Sequence, residues 1–64
     1  MNALSYLTKM TSVWEVAYIH SGKSKKSYFT KSKAALQFAE NISKYKAVSS
    51  VIAYLDNKYF RKYK

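Results

Sequence analysis

The chain has 64 residues, enough for one domain with one small core, and a domain of this size buries only ~60% of the surface that its unfolded chain exposes. Twelve residues are Lys or Arg and three are Asp or Glu, which gives a formal net charge of +9, and seven Tyr, three Phe and one Trp lie among the cations. The absence of Cys excludes disulfides and thiolate metal sites, and with one His and three carboxylates we expect neither a metal nor a cofactor.

Residues 1–12 are predicted to form an N-terminal arm or a short helix. Leu4, Leu7 and Met10 have the spacing of one helical face, and Asn2 is placed to cap such a helix. No stretch approaches the ~18–20 apolar residues of a membrane span, and no charged-then-apolar leader opens the chain. We therefore expect no membrane association and a cytoplasmic location.

Residues 13–20 are rich in β-branched and aromatic types, which predicts a strand. Gly22 is the only glycine, and residues 21–26 (Ser-Gly-Lys-Ser-Lys-Lys) give the strongest loop signal of the chain. An extended segment resumes at residues 27–29. The pattern predicts a β-hairpin with a lysine-rich loop at its tip.

Residues 30–45 change from a period of two to a period near four, which predicts an amphipathic helix. The apolar stripe consists of Ala35, Phe38, Ala39, Ile42 and Tyr45, with Leu36 at its edge. Thr30 or Ser32 is expected to supply the N-cap oxygen for the unpaired amides of the first turn.

Residues 48–55 predict a second strand, Asp56-Asn57 a two-residue turn, and residues 58–63 the returning strand. This turn pairs Leu55 with Lys58, Tyr54 with Tyr59, Ala53 with Phe60 and Ile52 with Arg61, and it leaves Tyr54, Tyr59, Arg61 and Tyr63 opposite the core face. The fold class is therefore α+β: residues 13–64 form a single ββαββ domain, a four-stranded antiparallel sheet with one helix packed on one face.

The titratable side chains do not suggest an enzyme. General acid–base catalysis usually needs paired carboxylates or a His with an orienting partner. His20 is the lone imidazole, and Glu15, Glu40 and Asp56 fall on a strand, a helix and a turn, with no spacing that pairs them. We expect no catalytic residues.

Cations cluster around the predicted hairpin loop and the helix start. The candidate phosphate contacts are Lys23, Lys25, Lys26, Lys31, Lys33 and Arg61. Lys31 and Lys33 would oppose the helix dipole, but they become favourable if an anion docks on the free amides of the first turn. The alternative is a solvated lysine-rich face without a ligand.

The aromatic residues divide into two groups. Trp14, Phe29, Phe38 and Phe60 are expected in the core, because small cores absorb such rings. Tyr54 and Tyr59 lie opposite the core face in the predicted register, where exposed rings need a purpose. Base stacking, an interface with another protein and a homodimer seam are the three hypotheses for them.

The stretch over residues 14–39 resembles the arm-type DNA-binding domain of phage and transposon tyrosine integrases. The resemblance rests on Trp-Glu-Val-Ala-Tyr (14–18), Gly-Lys-Ser-Lys-Lys (22–26) and Tyr-Phe-Thr-Lys-Ser-Lys-Ala-Ala (28–35) followed by Phe38-Ala39. It implies that the first two strands and the lysine loop face DNA. In the integrases three strands precede the helix, and a linker and catalytic core follow it, where this chain has a second hairpin.

Charge, aromatic content and this resemblance together predict a small non-enzymatic nucleic-acid-binding protein, with DNA expected rather than RNA. Eleven Lys against one Arg, with many residues of AT-rich codons, suggest a low-GC bacterium or its phage as the source, and we expect the gene to belong to a phage or mobile element. The alternative is a small phage-type inhibitor or modulator that binds a host protein. A domain this small needs additional stabilisation, either from tight packing of its aromatic residues or from self-association. A homodimer is therefore one of two alternatives that we expect.

Overall fold

A computed structural model describes residues 12–64, which form four strands and one helix in the order ββαββ. The elements are β1 (Trp14–His20), β2 (Lys23–Phe29), α1 (Ser32–Ile42), β3 (Val48–Leu55) and β4 (Lys58–Lys62). The strands make one antiparallel sheet in the order β2-β1-β3-β4. The predicted α+β architecture is confirmed. The predicted arm or helix over residues 1–12 lies, apart from residue 12, outside the described residues.

The first hairpin turns on two residues only. Ser21 and Gly22 have φ angles of 52° and 80°, the left-handed pair that a tight two-residue turn requires. Strand β2 begins at Lys23 and pairs with β1 along its whole length. The predicted lysine-rich loop over residues 21–26 is therefore wrong. The segment is instead an edge strand: its backbone pairs with β1 on one side, and its three lysine side chains are exposed to water.

Helix α1 is shorter than predicted at its C-terminal end. It ends at Ile42, where the backbone bonds tighten: the N–H of Tyr45 donates to the carbonyl of Ile42, three residues back, at 3.1 Å. The hydroxyl of Ser43 donates to the carbonyl of Glu40 at 2.7 Å and helps to close this end. Tyr45 consequently leaves the predicted apolar stripe and is 58% exposed.

The second hairpin has the predicted turn. Asp56 and Asn57 have φ angles of 49° and 67° and connect β3 to β4. The Asp56 carboxylate accepts a hydrogen bond from the N–H of Val13 at 2.8 Å, and the N–H of Asp56 donates to the carbonyl of Val13 at 2.9 Å. The turn thus also anchors the start of β1.

A bulge at Phe60 shifts the register of β4. Tyr54 pairs with Tyr59 as predicted, but Ala53 pairs with Arg61 and Ile52 with Lys62, so Phe60 is the additional residue. The predicted pairs of Ala53 with Phe60 and Ile52 with Arg61 are wrong. The bulge brings Phe60 edge-on to Trp14, with ring centroids 4.8 Å apart at 79°. This edge-to-face contact is a favoured aromatic geometry.

The core lies between α1 and the sheet face that carries Trp14. The buried apolar residues are Trp14, Val16, Ala35, Ala39, Ile42, Val48, Val51 and Ala53. Small side chains on α1 let the helix approach the sheet closely. Phe29 and Phe38 pack against this core, with ring centroids 5.3 Å apart, whereas Phe60 covers Trp14 and stays 43% exposed.

Candidate nucleic-acid interface

The face of the sheet opposite α1 is the candidate site, and we call it the open face. Helix α1 packs on the side of Trp14 and Val16, and no other element within residues 12–64 packs on the opposite side. Side chains alternate along a strand, so Glu15, Ala17 and Ile19 of β1 point to the open face. Their directly opposed partners on β2 and β3 share that face.

Strand register arranges the open face in two complete rows. The tyrosine row runs across β2, β1, β3 and β4 as Tyr28, Glu15, Tyr54 and Tyr59. The lysine row follows as Lys26, Ala17, Ile52 and Lys62. Neighbouring strands lie ~4.8 Å apart, so each row spans about 14 Å. Rings therefore stand on three of the four strands, and a cation stands at each end of the next row.

The open face combines exposed rings with a shallow apolar floor. Tyr28 is 62% exposed and Tyr59 66%, while Tyr54 is half-buried between its neighbours. A depression beside the tyrosine row is lined by Ala17, Ile19, Ser24, Lys26, Ser50 and Ile52, among others. Flat rings next to an apolar hollow and a cation can receive a planar, partly charged ligand.

The predicted site residues do not all meet. Lys26, Tyr54 and Tyr59 lie on the open face. Lys23 and Lys25 belong to the same edge strand but pair with His20 and Tyr18, so they point to the helix side. The sheet thus brings three of the eight predicted residues onto one surface and leaves the others around it.

Arg61 and Tyr63 are not on the open face with Tyr54 and Tyr59, contrary to prediction. The bulge at Phe60 pairs Arg61 with Ala53, which is buried on the helix side of the sheet, and Tyr63 packs against the core. The guanidinium of Arg61 lies 5.8 Å from the centre of the Tyr63 ring, within cation–π distance. One additional residue in β4 is enough to move both side chains to the other face.

Positive charge lines both edges of the sheet. Strand β2 carries Lys23, Lys25 and Lys26, and strand β4 carries Lys58, Arg61 and Lys62, all of them exposed. Glu15 is the one carboxylate among the open-face positions of the four described strands. By register Lys26 and Lys62 lie on the open face, one on each edge strand, and the other four cations point to the helix side of the same two edges.

The start of α1 adds two further cations and open amides. Lys31, not Thr30 or Ser32, occupies the N-cap position, with φ −114° and ψ 131°, and no side chain caps the helix. The N-cap prediction was wrong because neither hydroxyl occupies the position from which it could accept from the first-turn amides. Lys31 and Lys33 lie next to these amides, so the helix start remains suited to an anion.

This cap offers a substitution with opposite effects on stability and binding. Lys31→Ser supplies the missing oxygen and removes an unfavourable cation, so the free energy of unfolding should rise by about 1 kcal/mol. Affinity for nucleic acid should fall if Lys31 contacts phosphate. Thermal unfolding and a binding titration measure the two effects. Lys33→Gln is the control, because it removes the same charge without adding a cap and should not raise stability as much.

Sequence reasoning missed Tyr28, Lys62 and Ala17 as neighbours of Tyr54 and Tyr59. Alternation from Trp14 through a two-residue turn would have placed Tyr28 opposite Glu15. Lys62 could not be found, because its position depends on the bulge at Phe60.

Possible reactive groups are separated in the structure. His20 is exposed at the end of β1, Glu40 is exposed on α1, and Asp56 is bonded to Val13. Within residues 12–64, no three His, Asp or Glu side chains are grouped so that they could hold a metal ion. Helix α1, the one helix of this region, is too short and too polar to cross a membrane.

Comparison with protein-family models, with curated proteins and with solved structures finds no match to this chain. The resemblance of residues 14–39 to the integrase arm-type domain therefore stays a prediction.

Proposed function

We propose that this protein is a small, non-enzymatic nucleic-acid-binding protein encoded by a phage or mobile element. The observation that carries the proposal is the open face, on which Tyr28 and Tyr59 stand exposed on the two edge strands, next to Lys26 and Lys62 of the same strands. Lysines attract the phosphate backbone without reading sequence, and aromatic rings add contacts to bases. The excess of +9 charges on 64 residues supports the same class of partner.

Binding is electrostatic in its first step. The lysines of β2 and, after residues 27–30, Lys31 and Lys33 at the start of α1 are all exposed and offer cations to a phosphate chain. Each neutralised phosphate releases a condensed counterion, and this release drives association. With a single Arg in the chain, bidentate contacts to guanine are scarce, so sequence preference should be weak.

Salt dependence is the direct test. Neutralising roughly five to seven phosphates predicts a slope of log affinity against log salt near −5. Fluorescence anisotropy with labelled DNA and RNA, from ~50 mM salt upwards, measures it. Absence of binding to either nucleic acid at the lowest salt would contradict the proposal. A neutral labelled sugar polymer of similar length is the control for non-specific adhesion.

A second candidate function is modulation of a host protein. Phe60 favours it, because this ring is 43% exposed on the outer strand β4, which α1 does not cover. An exposed aromatic residue on a cationic edge fits an acidic groove with an apolar pocket. Affinity purification from the host with and without nuclease separates the two functions. One stoichiometric protein that survives nuclease, and that Phe60→Ser releases, would favour modulation.

A further inference from the structure

We infer that the ligand of the open face is a single-stranded nucleic acid, whose unpaired bases stack on Tyr28, Tyr54 and Tyr59. The inference rests on the proposed function and narrows it from nucleic acid in general to unpaired strands. It assigns the rings to the bases and the two ends of the lysine row to the phosphates.

The three tyrosine rings lie in one row across the sheet. Tyr54 and Tyr59 are directly opposed on neighbouring strands, and Tyr28 lies in the same row two strands from Tyr54. Antiparallel neighbours bring side chains within about 5 Å, so the row offers a stacking platform about 14 Å long. Open faces of four-stranded sheets elsewhere stack roughly two or three bases on aromatic side chains. This row has the length and the rings for that number.

The exposure of the tyrosine rings favours unpaired bases as their partners. Tyr28 and Tyr59 are 62% and 66% exposed, so most of each side chain is accessible to an incoming group. In a duplex the flat faces of the bases are covered by the neighbouring base pairs, so a ring reaches only their edges. Stacking on tyrosine therefore requires bases that are splayed out of a helix.

The positive charge of the open face opposes its burial against a second copy of this chain. A two-fold contact through this face would bury Lys26 and Lys62 of both copies, while Glu15 is the one acidic side chain that each copy has in the two rows. Burying ammonium groups without enough carboxylates is costly. A phosphate chain that crosses the lysine row supplies the missing anions.

The negative charge of Glu15 should weaken nucleic-acid binding in this arrangement. It lies between Tyr28 and Tyr54, so a nearby phosphate meets its negative charge. Glu15→Gln should tighten binding by roughly threefold or more, because the repulsion is removed. Glu40→Gln makes the same change of net charge on the exposed side of α1, and its effect should be smaller.

The experiment compares four probes by fluorescence anisotropy with the full chain. These are oligo-dT and oligo-rU of about 12 nucleotides, and DNA and RNA duplexes of the same length. Both single strands should bind at least about tenfold tighter than the duplexes, which cannot stack on the rings. The two single-stranded arms show whether DNA or RNA is the better ligand.

Variants of the tyrosine row test the position. Tyr59→Leu and Tyr28→Leu should each weaken single-strand binding by about tenfold and leave duplex binding within about twofold, since stacking is lost and charge is kept. Tyr59→Phe should retain single-strand binding, because it keeps the aromatic face. The matched control is Tyr45→Leu, at a ring that is 58% exposed beyond α1 and away from the open face. Circular dichroism and thermal unfolding verify that each variant is folded.

Each outcome has one meaning. Tight single-strand binding that is lost in the Leu variants and kept in Tyr59→Phe supports the inference. Equal or tighter binding of duplex, or equal losses in Tyr59→Leu and Tyr45→Leu, overturns it while leaving the proposed function intact. No binding of any probe overturns both. A row substitution that alters the oligomeric state by analytical ultracentrifugation, and not the affinity, assigns the face to self-association and overturns the inference.

Discussion

Trp14→Ala is expected to unfold much of the protein at 37 °C. Trp14 is 7% exposed, belongs to the core beneath α1, and holds Phe60 at 4.8 Å in an edge-to-face contact. Truncating a buried aromatic side chain costs about 3–5 kcal/mol. The whole domain is stabilised by roughly 3–10 kcal/mol, so the loss uses up most of that margin. Circular dichroism during heating should show the midpoint lowered by roughly 15 °C or more.

Two further substitutions distinguish core loss from contact loss. Phe60→Ala removes the other ring of the pair at a site that is 43% exposed, and it should cost clearly less than Trp14→Ala. Trp14→Phe keeps a ring in the core and should fall between wild type and Trp14→Ala. Equal costs for Trp14→Ala and Phe60→Ala would contradict the described packing, because the two residues would then be equally important to the core.

Lys25→Gln combined with Lys26→Gln is expected to weaken nucleic-acid binding by roughly 10- to 100-fold at ~0.1 M salt. Both side chains are exposed on the edge strand β2 and point to opposite faces, so the pair removes charge from both sides of that edge. Each lost phosphate contact should also reduce the salt slope by about 0.9 with duplex DNA and by about 0.7 with a single strand. Titrations at several salt concentrations measure both quantities.

The matched control changes the same charge at another place. Lys44→Gln combined with Lys46→Gln lowers the net charge equally, at exposed positions in the connection between α1 and β3. This variant should lose only the general attraction of the net charge and keep the salt slope close to that of wild type. If both double variants lose the same affinity and slope, the β2 edge has no special role in binding.

Local signals in the sequence were sufficient to predict two hairpins with a helix between them, but not the length of the first turn or the C-terminal end of the helix. Asp56-Asn57 fixed the length of the second turn, and that length correctly set Tyr54 opposite Tyr59. The period of the apolar residues located α1, because burial of Ala35 and Ala39 requires one face to be apolar. The fold class followed from these elements.

The remaining features depend on contacts between distant parts of the chain. The lysines of β2 have no apolar alternation, so nothing local distinguished an edge strand from a loop. The bulge at Phe60 accompanies its contact with Trp14, which belongs to the other hairpin. The pairing of β1 with β3 joins segments separated by α1, and it alone brings Tyr28 into the row with Tyr54. Tyr54 and Tyr59 could therefore be predicted from the sequence, but their neighbours across the whole sheet could not.

The cationic edge strands also affect whether the protein associates with itself at high local concentration. A strand with one free side presents unpaired N–H and C=O groups that could recruit another sheet, and crowded lysines oppose such fusion by mutual repulsion. A polyanion that neutralises those lysines removes the barrier while it concentrates the chains. Condensation should then be greatest where the charges of protein and polymer balance, and it should dissolve again when either component is in excess.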